Sequence, residues 1–111
     1  MKNQTYRMTM LFDFYGELLT ERQKEFFDLY YNEDLSLAEI ADETGTSRQA
    51  VHYTLKKAEK ALEEFEEKLR LIEQYRSRQK QKERLAQLIA QDSMSPADKE
   101  EAIAILEGLA E

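Results

Sequence analysis

The chain has no cysteine, no tryptophan, one histidine, one proline and only three glycines in 111 residues. Without cysteine there can be no disulfide framework, zinc knuckle or thiol chemistry, and a cytoplasmic location fits. A single histidine without companion ligands gives no metal site, and no cofactor is expected. There is no glycine-rich phosphate loop, no HExxH and no nucleophile–base pair with a third orienting group, so the chain does not read as an enzyme. No apolar run approaches the roughly 20 residues of a membrane span, so no membrane insertion is expected. The opening residues MKNQTYRMTMLFDFYG are interrupted by Arg7 and Asp13 and do not read as a signal peptide. Strand-like alternation is also missing, and with few turn-forming residues and 35% charged ones the fold class is all-α.

What is present is charge, unevenly placed. The formal net charge is −7, yet residues 48–60 carry +3 and residues 68–84 carry +5, while residues 1–47 carry −6. Two basic islands therefore lie in an acidic chain.

The first island overlaps Ser36–Lys57, SLAEIADETGTSRQAVHYTLKK, which reads as a helix-turn-helix. Ser36 and Glu39 are spaced as a capping box, and Leu35 can staple onto Ile40. Leu37, Ile40 and Ala41 share one face, and Ala41 is small enough to let a second helix approach. Gly45 supplies the positive φ of the turn, Ser47 caps the next helix, and Val51 and Leu55 point back at the first. Arg48, Gln49, His52, Tyr53, Lys56 and Lys57 are left as candidate nucleic-acid-binding residues, arginine suiting guanine and glutamine adenine. Thr46 stands where most such motifs carry valine or isoleucine under the turn, so its hydroxyl needs a partner.

Around this unit, the spacing predicts a first helix over about Gln4–Tyr15, with Met8, Leu11, Phe12 and Tyr15 on one face and Gly16 as its stop. A second capping box at Thr20 and Gln23 opens a helix to Tyr31, with Asn32 as a left-handed terminator. The fourth helix continues past the motif: Leu55, Ala58, Leu62, Phe65, Leu69 and Ile72 form a heptad seam, roughly 37 Å from Arg48 to Ile72. The three-helix core is too small to cover the lower half of that seam. A bend or break is expected at residues 73–78, then a helix to about Gln91, then a last helix capped by Ser95 with Pro96 at its first position. The new apolar group before the last helix is Leu85, Leu88 and Ile89. Ala102, Ile103, Leu106 and Leu109 form the apolar face of the last helix itself. Either these faces fold back on the long helix or a second copy covers them, and a homodimer is expected. The organisation is thus 1–72 as a helix-turn-helix domain and 73–111 as a helical C-terminal extension.

Laid end to end, FDFYGELLT, LLTERQKEFFDLYYNEDL, the YYNEDLSLAEIA link and SRQAV resemble the YlxM-like family, small bacterial proteins with a helix-turn-helix similar to region 4 of sigma factors. The resemblance covers most of residues 5–75. It implies a three-helix core of the sigma region 4 type and a regulatory protein. Because genes of that family commonly lie beside those of the signal recognition particle GTPase and its receptor, it also implies a part in co-translational protein targeting.

Two functions follow as expectations. One is a regulator that binds duplex DNA through Arg48–Lys56. The alternative is a protein- or RNA-interaction module acting on the signal recognition particle RNA or GTPases without binding DNA. A secondary basic patch of Arg70, Arg76, Arg78, Lys80, Lys82 and Arg84 would then contact phosphates, unless its charges pair with the acidic helices nearby.

Overall fold

A computed structural model describes residues 2–91 and 93–109, residues 2–4 by their backbone alone. Residues 110 and 111 of the expected extension lie outside the described residues. Among the described residues there is no strand, and the fold is all-α. The helices are α1 (Lys2–Tyr15), α2 (Glu21–Phe27), α3 (Leu37–Thr44), α4 (Arg48–Leu69), α5 (Leu71–Ile89) and α6 (Pro96–Leu109). They form two compact units, Met1–Arg70 and Leu71–Glu111.

In the first unit α1, α2 and α3 all pack on α4. Phe26, Ile40, Ala41, Val51 and Leu55 make the buried centre, with Leu29, Leu35 and Leu37 partly buried against it. The lower half of α4 is covered from within the chain. Met8, Leu11 and Tyr15 of α1 are buried, the Tyr15 ring lies 6.0 Å from Phe65, and the Tyr15 hydroxyl donates to Glu66 at 2.5 Å. Arg7 forks onto the Glu63 carboxylate at 2.6 and 2.9 Å. The expectation that the small core leaves this half bare omitted α1, whose buried stripe supplies the missing surface. Phe12 stacks on Phe27 with ring centroids 4.5 Å apart. A Cβ on Gly16 would stand 3.1 Å from the Phe12 ring, so glycine here leaves that ring its place.

Three boundaries differ from the sequence expectation. The second helix stays α-helical only to Phe27, then widens into a π turn over Asp28–Asn32 that closes with the Glu33 N–H donating to the Asp28 carbonyl at 3.0 Å. Within it, the Asn32 amide donates to the Asp28 carboxylate at 2.7 Å. The left-handed residue is Asp34 (φ 60°), not Asn32, because the π turn carries the chain two residues further before it reverses. The long helix ends at Leu69, about 33 Å from its start. The break stands at Arg70 (φ 54°), not at residues 73–78. The Arg70 N–H donates to the Glu66 carbonyl at 2.9 Å as a left-handed C-terminal cap. Leu69, the last residue of α4, is exposed, although the heptad pattern runs on through it.

The second unit is an antiparallel hairpin of α5 and α6. Ser95 caps α6 by accepting from the Asp98 N–H at 3.0 Å. Leu88 and Ala102 are buried and Leu85, Ile105 and Leu109 half-buried. Ile89, Ile103 and Leu106 are exposed at 65%, 55% and 53%, so the expected apolar face of α6 is rotated. The helix turns the 102/105/109 stripe toward α5 and presents Ile103 and Leu106 to solvent.

Candidate nucleic-acid interface

The geometry of the motif begins with its caps. The Ser36 hydroxyl accepts from the Glu39 N–H at 3.1 Å, and the Glu39 carboxylate accepts from the Ser36 N–H at 2.9 Å. Those bonds to Ser36, its backbone N–H first, hold the Glu39 carboxyl below the usual carboxylate range. Gly45 lies at φ 67° and ends α3, and the Thr46 N–H donates to the Ala41 carbonyl at 3.1 Å. The Thr46 hydroxyl meets the Thr44 hydroxyl at 2.9 Å, and the Thr44 hydroxyl donates to the Ile40 carbonyl at 2.7 Å. The hydroxyl that replaces a branched alkyl group under the turn is therefore partnered. Ser47 caps α4 by accepting from the Ala50 N–H at 3.0 Å.

With Val51, Leu55 and Ala58 buried at one side of α4, the helical repeat turns Arg48, Gln49, His52, Tyr53, Lys56 and Lys57 outward, and all six are exposed. The Lys57 ammonium lies 5.5 Å from the centre of the Tyr53 ring, which holds both side chains on the outer face. Lys56 is drawn to Glu59 at 3.4 Å. Glu59 is a residue the sequence reading passed over. Its side chain is only 13% exposed and also accepts from the Tyr31 hydroxyl at 2.5 Å, tying the outward helix to the π turn. The Lys56–Glu59 spacing signals the ion pair. Nothing in the spacing signals Tyr31, 28 residues away.

The secondary basic residues are not equivalent. Arg70, Arg76, Arg78, Lys80 and Lys82 are exposed, Arg70 being the left-handed residue between α4 and α5. Arg84 is engaged by Glu101, bidentate at 2.5 and 2.9 Å, and this bond raises the arginine's pKa and lowers that of the carboxyl. No described helix is long and apolar enough to cross a membrane.

Residues 2–104 match the family described as "Putative helix-turn-helix protein, YlxM / p13 like". The chain is 43% identical over 109 residues to UPF0122 proteins of Bacillus cereus strain AH187 and of Bacillus thuringiensis subsp. konkukian, covering 98% of this chain and 99% of each relative. A UPF0122 protein of Bacillus anthracis strain A0248 matches to the same extent. Nearly full-length matches on both sides, together with the capped α3–turn–α4 geometry, mean that this chain belongs to the YlxM/p13-like helix-turn-helix family.

Proposed function

We propose that this protein is a nucleic-acid-binding regulator that lays the N-terminal half of α4 into the major groove of duplex DNA. The observation that carries this reading is the exposed set Arg48, Gln49, His52 and Tyr53 on the first turns of α4, opposite the buried Val51 and Leu55. Recognition helices place their N-terminal residues against base edges, and Arg48 is the first residue of α4. Arg48 would serve guanine and Gln49 adenine, with Lys56 and Lys57 steadying the backbone. Affinity falls as salt rises, with a logarithmic slope set by the number of phosphates neutralised, and the acidic body keeps that number small for one copy. Fluorescence anisotropy of labelled duplexes, over varied sequences at low salt, tests the reading. Arg48→Ala is expected to cost about 1–3 kcal/mol of binding. Absence of binding by the unaltered protein, even at low salt, would refute it.

The exposed cations of α5 favour a second reading in which the partner is the RNA or a GTPase of the signal recognition particle. Arg78, Lys80 and Lys82 stand exposed on a helix outside the DNA-binding-type unit. The link to protein targeting itself rests on the family resemblance. GTP hydrolysis by the particle GTPase and its receptor, measured with and without the RNA, should change on addition of this protein. The change should be lost in the triple alanine variant of those three residues. An unchanged rate under both conditions counts against this reading.

A further inference from the structure

The α5–α6 hairpin buries a narrow seam made by Leu85 and Leu88 on one helix and Ala102, Ile105 and Leu109 on the other. At about 100° per residue, Arg84 and Glu101 stand on one flank of this seam, and their bidentate ion pair marks that flank. In two antiparallel helices, rotations of the same sense from the shared seam lead to the same face. Lys82 and Ile89 on α5 therefore stand with Ile103 and Leu106 on the opposite flank. The three aliphatic side chains are each more than half exposed. One face thus carries three large apolar groups, where a solvated surface normally scatters them singly.

Charge indicates what covers this face. Residues 71–89 carry five basic and two acidic side chains, net +3, and residues 96–109 carry one basic and four acidic, net −3. On the apolar face itself α6 presents Lys99 between Ile103 and Leu106, with Glu100 and Glu107 at the outer edge, so the pairing open to Lys82 is with those two edge carboxylates, provided that α5 of one copy lies over α6 of another. We propose that a second copy of this chain docks here about a two-fold axis parallel to the hairpin, making an up-and-down four-helix bundle. Ile89, Ile103 and Leu106 close the centre, and Lys82 approaches Glu107 and Glu100 of the second copy. Laying α5 over α5 instead would bring Lys82 against its own equivalent, which like-charge repulsion opposes. The faces are two helices wide and α6 is 14 residues long, about 21 Å. A contact of that size belongs at the small end of specific interfaces, so the dimer should form at micromolar concentrations.

Sedimentation equilibrium of the full chain, up to about 100 μM, tests the proposal independently of nucleic-acid binding. The unaltered chain should be a dimer. Ile103→Asp and Leu106→Asp should be monomers with unchanged helical circular dichroism, since both sites are exposed and neither supports the hairpin seam. Lys82→Glu should weaken the dimer about tenfold, and adding Glu107→Lys should restore it. A monomeric unaltered chain overturns the proposal, as do aspartate variants that remain dimeric. A monomer that sediments with vesicles of anionic lipid would assign the face to a membrane surface instead.

Discussion

Tyr31 is the residue that ties α4 to the π turn. Its ring lies 4.4 Å from Phe27, and its hydroxyl donates to Glu59, the same carboxylate that draws Lys56. Burial first, then the bond to Glu59, pushes the Tyr31 pKa well above its usual value. The sign of the pH effect follows. A hydroxyl whose pKa is raised on folding contributes stability that is complete below the unfolded tyrosine value of about 10 and is lost as pH rises beyond it. Tyr31→Phe should leave Glu59 without this donor and cost about 2 kcal/mol at neutral pH, read by urea denaturation. The same variant should lose the part of the stability decline above pH 10 that belongs to this group. An equal alkaline decline in both proteins would show that the linkage lies elsewhere.

At the scale of elements, each end of the helix-turn-helix is defined by a backbone group with a named partner. Gly45 is the clearest case, because a Cβ there would find nothing within 4 Å. Space does not require glycine at this turn; the backbone at φ 67° does. Gly45→Ala should therefore destabilise by about 1 kcal/mol through backbone conformation alone. Gly45→Asn should cost less, since asparagine tolerates the left-handed region. Midpoints of urea unfolding for the two variants decide this, and equal losses would point to an unseen clash. The break between α4 and α5 uses the same conformation without glycine. Arg70 adopts it, and no glycine or proline stands near to announce it.

At the scale of the whole molecule, the governing quantity is where charge lies. A chain of net −7 meets a polyanion poorly, and its first basic island, net +3, would supply few phosphate contacts per copy. A second copy would double that number. The salt dependence of duplex binding then becomes a joint readout of the two proposals. The logarithmic slope for the unaltered chain should be about twice that of Leu106→Asp. Equal slopes would mean that a single copy makes the contact even where the dimer forms.

Much of this was legible in the residues. Ser36, Glu39, Gly45 and Ser47 act within four residues of their partners, and the 3.6-residue repeat of Val51, Leu55, Ala58 and Leu62 is a local property of the helix. The all-α class, the motif boundaries and the outward face of α4 could therefore be read without a partner element. Other features depended on contacts distant in sequence. Tyr31 reaches Glu59, Tyr15 reaches Glu66 and Arg7 reaches Glu63 across 28 to 56 residues, and these contacts set how α1 and the π turn lie on α4. The heptad pattern ran on through Leu69 and Ile72, but α4 ended at Leu69 with Arg70 in the left-handed conformation, and Leu69 is exposed. Periodicity shows that a helix has an apolar side; it does not show which neighbour covers it or for how many turns. In α6 that difference exchanged the buried face for the exposed one, because packing against α5 selected Ala102, Ile105 and Leu109 and left Ile103 and Leu106 in solvent.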